Sequence, residues 1–81
     1  MKATVNRRLF IERISPVPAA KGVSMLIADG ILSAVSLGQG ITARISVYAL
    51  KDGQVFLNGD EWNNLISKIE TYQESYIDID I

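Results

Sequence analysis

Arg44, Tyr48 and Phe56 are the side chains in this sequence whose types and spacing could do chemistry on a ligand. The first two lie in residues 41–50, where Ile41, Ala43, Ile45, Val47 and Ala49 alternate with Thr42, Arg44, Ser46 and Tyr48. That period of two predicts a strand with one apolar and one polar face. A reversal follows at Asp52-Gly53, and its length decides which residues oppose each other. A two-residue loop pairs Ala49 with Phe56 and Tyr48 with Leu57, mixing the faces. A three-residue loop, Lys51-Asp52-Gly53, pairs Ala49 with Val55, Val47 with Leu57 and Tyr48 with Phe56, which keeps one face apolar and is preferred. Two aromatic rings and a guanidinium then share the outer face. Single-stranded nucleic acids are held by such groups: bases stack on the rings for ~1–3 kcal/mol each, and cations meet the phosphates. Arg7, Arg8 and Lys51 are candidates for further phosphate contacts. The plainer account is an ordinary exposed strand face with solvated charges.

Other chemistries lack their residues. The sequence has no cysteine and no histidine, which removes thiolate ligands, thiol nucleophiles, the commonest general base and the commonest metal ligand. The carboxylate clusters, Asp60-Glu61 and Asp78-x-Asp80, sit in settings that favour the ionised form, unlike an acid/base pair. Two aspartates without further oxygen donors make a poor metal site. Gly38-x-Gly40 starts a phosphate-loop pattern, but no helix follows, so it reads as a turn. A non-enzymatic binding protein is expected, with no catalytic residue, metal or cofactor.

At 81 residues, 48% of them hydrophobic and 21% charged, the chain fits one soluble domain. Its formal net charge of −1 conceals an asymmetry: residues 1–40 hold five cations and two carboxylates, residues 41–81 three and seven. No apolar run approaches the ~20 residues of a membrane span, and the N-terminus does not read as a signal peptide, so a cytoplasmic protein is expected.

These groups need elements to place them. Residues 4–14, rich in branched and aromatic side chains, predict a strand ended by Pro16 and Pro18. Residues 23–28 and 31–37 predict a hairpin at Asp29-Gly30, with Ile27 opposite Ile31 and Val23 opposite Val35 by the same three-residue logic. Strands 41–50 and 54–57 come next. Asn58, with Glu61 three places on, predicts a capped helix whose apolar stripe is Trp62, Leu65, Ile66, Ile69 and Tyr72. Residues 76–81, Tyr-Ile-Asp-Ile-Asp-Ile, read as a strand or as an acidic-hydrophobic tail. The expected fold is α+β: a curved antiparallel sheet of four to five strands, one packed C-terminal helix, and a short terminal strand or tail. Residues 1–75 form the sheet-plus-helix domain, and 76–81 form an element of their own. An exposed helix stripe and two open sheet edges predict a homodimer.

The run Val55-Phe56-Leu57-Asn58-Gly59-Asp60-Glu61-Trp62-Asn63-Asn64-Leu65-Ile66-Ser67-Lys68-Ile69 resembles the C-terminal half of the positive-cofactor-four type transcriptional coactivators. The likeness covers residues 41–69, and its informative part is the Leu-Asn-x-x-x-Trp-x-x-Leu spacing. It implies a curved antiparallel sheet backed by a helix, dimerisation through the helices, and single-stranded DNA on the sheet. Trp62 matches the family's helix tryptophan and joins the candidate nucleic-acid residues on that ground, core packing being its plainer role.

The expected function is single-stranded DNA binding, with RNA a related possibility, in replication, recombination or transcription. The rival expectation is a small phage-type inhibitor or adaptor whose acidic C-terminal half docks on a basic host protein, with 76–81 as the contact.

Overall fold

A computed structural model describes all 81 residues. The fold is α+β, built from seven strands in two antiparallel sheets and one long helix. The elements run β1 (Lys2–Asn6), a short α1 (Arg7–Leu9) continuing into a π-helical turn (Phe10–Ile14), β2 (Val23–Ala28), β3 (Ile31–Ser36), β4 (Thr42–Ser46), β5 (Tyr48–Lys51), β6 (Gly53–Leu57), α2 (Gly59–Thr71) and β7 (Tyr76–Asp80). One sheet has the order β5-β1-β7, the other β4-β3-β2-β6. Ala3, Val5, Ile77 and Ile79 of the first sheet and Val23, Met25, Ile27, Leu32, Ala34, Ile45 and Leu57 of the second join Phe10, Ile14, Trp62 and Ile69 in one buried core.

Strand 4–14 is corrected to a strand and a helix. Asn6 ends β1 because its side chain accepts a hydrogen bond from the Leu9 amide at 3.0 Å, capping the helical turn. Helical spacing then puts Phe10 and Ile14 together in the core. The β propensity of Phe10, Ile11 and Ile14 loses to that cap and to burial.

The first hairpin forms, one residue out of the expected register. Asp29 and Gly30 both take left-handed backbones, φ 55° and 73°, in a two-residue loop that pairs Ala28 with Ile31 and Ile27 with Leu32. The slip turns Ile31 outward and Leu32 inward. The second hairpin does not form. β5 pairs with β1, and β6 pairs with β2. The expected strand 41–50 breaks at Val47, whose amide donates to the Gly30 carbonyl at 2.9 Å, and there the chain passes from one sheet to the other.

The C-terminal elements follow the sequence closely. Asn58 and Glu61 cap α2 reciprocally, each side chain accepting from the other's amide at 2.8 and 3.0 Å. The apolar stripe of α2 faces inward: Trp62 and Ile69 are buried, and Leu65, Ile66 and Tyr72 are half-buried. Residues 76–80 are a strand, paired along their whole length with β1. No helix is long and apolar enough to cross a membrane.

Candidate nucleic-acid interface

The expected stripe of Arg44, Tyr48 and Phe56 is taken apart by the topology. Phe56 lies opposite Ser24 on the outer face of the four-stranded sheet, at its β6 edge, 60% exposed. Its ring leans over Gly22, where a Cβ would stand 3.0 Å from the ring and 2.9 Å from the Leu57 carbonyl. Arg44 is on the same face at the opposite edge, opposite Ser33. Three inter-strand spacings of ~4.8 Å, about 14 Å in all, separate the two, too far for one base to bridge. Tyr48 is on the other sheet, opposite Thr4.

Two other candidates hold the fold. Trp62 is 2% exposed and packs against Phe10 with ring centroids 6.4 Å apart, so its ring faces no ligand. Arg7 donates from Nε to the Ile69 carbonyl at 3.0 Å and from Nη2 to the Glu70 carbonyl at 2.9 Å. It thereby satisfies carbonyls left open at the C-terminus of α2, where the helix dipole also favours a cation. Arg8 is exposed and paired with Glu12 at 2.9 Å, and this contact raises its pKa.

A different set of residues comes together around Tyr48. The ring of Tyr76, on β7, meets that of Tyr48 across β1, centroids 6.2 Å apart and tilted by 55°. Both are exposed, at 69% and 51%. Beside the pair is a hollow of about 250 Å³, floored by Thr4 and Asn6 and walled by Leu9, Ser46 and Val47. Ser46 also borders a second hollow, which holds Arg13 and Arg44. On the far side of Tyr48, Lys51 stands opposite Lys2. Cations therefore lie to either side of Tyr48, following β4 and β5 round their bend, while Tyr76 also borders a hollow with Glu74 and Asp78. Neither of the first two hollows is lined by a carboxylate. Of this set the sequence supplies Arg44, Tyr48 and Lys51. Arg13, Lys2 and Tyr76 are missed. Reading Asn6 as a cap would have released Arg13 from the strand, and Tyr76 opens the alternating C-terminal run, but the strand that sets it beside Tyr48 has no local signal.

No protein family, curated protein or solved structure matches this chain.

Proposed function

We propose that this protein binds single-stranded nucleic acid along β4 and β5, stacking bases on Tyr48 and Tyr76 and setting phosphates on Arg44, Arg13, Lys51 and Lys2. The observation that carries the reading is the exposed Tyr48–Tyr76 pair, with cations to either side of Tyr48 along β4 and β5 and no carboxylate lining the hollow the two rings share; Glu74 and Asp78 lie on the other side of Tyr76. Stacking tolerates any base, because every base has a π-face, while cations along a groove track the backbone. DNA and RNA share both features. The likeness of residues 41–69 to single-strand-binding coactivators agrees with this reading, although Trp62 and Phe56 have no part in it. The protein acts as a binding module without catalysis. The α2 stripe faces inward, with Trp62 and Ile69 buried and Leu65, Ile66 and Tyr72 half-buried, and gives little support to a homodimer through the helix, which leaves the open sheet edges as the main argument for self-association.

The test is fluorescence anisotropy of a labelled single-stranded oligonucleotide over a salt series. Up to four phosphate contacts predict a slope of log affinity against log salt no steeper than about −3. Absence of binding at low salt would sink the proposal.

A further inference from the structure

The other edge of the three-stranded sheet is β7, and its free side has a definite chemistry. The Met1 ammonium donates to the Ile81 carbonyl at 3.1 Å, and the Ile81 amide donates to the Met1 carbonyl at 3.0 Å. At the opposite end the Arg7 amide donates to the Ser75 carbonyl at 2.9 Å. Hydrogen-bonded pairs alternate along an antiparallel ladder. With the register Ala3–Ile79 and Val5–Ile77, the backbone groups of Ile77 and Ile79 therefore point to β1. Those of Tyr76, Asp78 and Asp80 point away, to an edge on which no strand lies.

A trough runs beside this edge, between β7 and α2. Its two hollows, about 150 and 320 Å³, adjoin at Tyr72 and Asp78. Ile79 and Ile81 line the trough together with Asp78 and Asp80, although these pairs point to opposite faces of the sheet, which places it at the strand's edge. Leu65 and Tyr72 of α2 give it an apolar wall. Glu74, Asp78 and Asp80 line it against a single cation, Lys68.

We propose that the β7 edge accepts an extended basic peptide segment as an additional strand, with Lys or Arg beside Asp78 and Asp80 and apolar residues between them turned toward Leu65 and Tyr72. Unpaired backbone groups supply the ladder, as in other recognition by strand addition, and the side chains select the partner. Opposite charges across a ladder attract and like charges repel. Asp78, held by a hydrogen bond from the Thr4 hydroxyl at 2.6 Å, and Asp80 repel acidic strands and give neutral ones no attraction, the same use of charge that guards sheet edges generally. A second copy is disfavoured, because antiparallel β7 edges would set aspartate against aspartate. Nor does the chain carry basic residues at two alternate positions anywhere in its sequence. The site meets the nucleic-acid track only at Tyr76, whose ring serves the one and whose backbone edge serves the other, and the aspartate and Arg44 substitutions below tell the two apart.

The test is calorimetric titration of the full chain with a capped peptide of alternating lysine and valine, against its serine–valine and glutamate–valine counterparts. The lysine peptide is expected to bind roughly tenfold more tightly than the serine peptide. Asp78→Asn with Asp80→Asn should remove that preference, and Arg44→Ala should leave it intact. A lysine peptide N-methylated at alternate residues, on the groups facing the edge, should lose binding even if the double variant folds poorly. In NMR spectra the amides of Tyr76, Asp78 and Asp80 should shift on binding. Equal binding of all three peptides, or indifference to N-methylation, would overturn the proposal.

Discussion

β5 and β7 are the two edges of one small sheet. Both pair with β1, both carry an exposed tyrosine, and their rings touch. Their charges are opposite. β5 ends in Lys51 beside Lys2 and is led into by Arg44, whereas β7 carries Asp78 and Asp80. Strands ~4.8 Å apart put these edges ~10 Å from each other. The Debye length at physiological salt is ~8 Å. A three-stranded sheet is thus just wide enough to hold two surfaces of opposite sign that solvent screens from each other. The formal net charge of −1 averages the two edges and hides both.

The largest test of the contrast is to remove the ring on the basic edge. Tyr48→Ala should cost ~1–3 kcal/mol of oligonucleotide binding by loss of base stacking, roughly five- to 150-fold by anisotropy. Phe56→Ala, also at a well-exposed ring but on the other sheet, is the control and should leave binding unchanged. Equal losses in the two variants would return the site to the outer face of the four-stranded sheet.

Arg7 divides a structural from a phosphate role. Arg7→Ala removes two hydrogen bonds to the last carbonyls of α2, the helix that walls the acidic trough. Unfolding by urea should show a loss of about 1–2 kcal/mol, moderated because the guanidinium is only half-buried. Oligonucleotide affinity below the unfolding midpoint should stay the same. A stable variant with weakened binding would make Arg7 a phosphate ligand after all.

The two Asp-Gly pairs show how much of this arrangement the sequence could disclose. Asp29-Gly30 and Asp52-Gly53 carry the same turn signal, yet only the first closes a hairpin. At Asp29-Gly30 both residues adopt positive φ; neither Asp52 nor Gly53 does, and Gly53 lies against Met1. The difference is made by β1 and β2, distant strands that capture β5 and β6, and no local signal encodes distant partners. Where an element depends on its own residues, as in the capping box of α2, the sequence sufficed; the alternation of 76–80 left a strand and a tail open, and pairing with β1 makes it a strand. The fold class was legible on those grounds. The site was legible in part: Arg44, Tyr48 and Lys51 lie along one continuous stretch of chain, whereas Phe56 and Tyr76 exchanged places because pairing decided which ring meets Tyr48.

Arg44 and Arg13 carry a smaller effect than the ring. Each is exposed, so its phosphate contact works through counterion release rather than through a desolvated pair. Arg44→Ala and Arg13→Ala should each weaken binding a few-fold, equally for all base sequences, and flatten the salt slope by about one. Preference for one base appearing or vanishing in Arg44→Ala would mean that the guanidinium stacks on a base instead of meeting a phosphate.

The smallest expected effect tests the separation of the edges itself. Asp78 shares a ladder row with Tyr48 through Thr4, which both oppose on β1, and Asp80 shares one with Lys51 through Lys2. At ~10 Å the aspartates repel an incoming phosphate on the basic edge only when salt is dilute, since the Debye length is ~30 Å at 0.01 M but ~8 Å at 0.15 M. Asp78→Asn with Asp80→Asn should therefore tighten oligonucleotide binding two- to three-fold at the lower concentration and change it little at the higher one. The two salt curves should converge as salt rises, because the substitution alters a screened field and no phosphate contact. A gain that persists at high salt would mean the nucleic acid runs past Tyr76 along β7, where the same aspartates that select a basic peptide would be direct neighbours of the phosphates. In that case the two edges would form one surface, and peptide and oligonucleotide would compete for it.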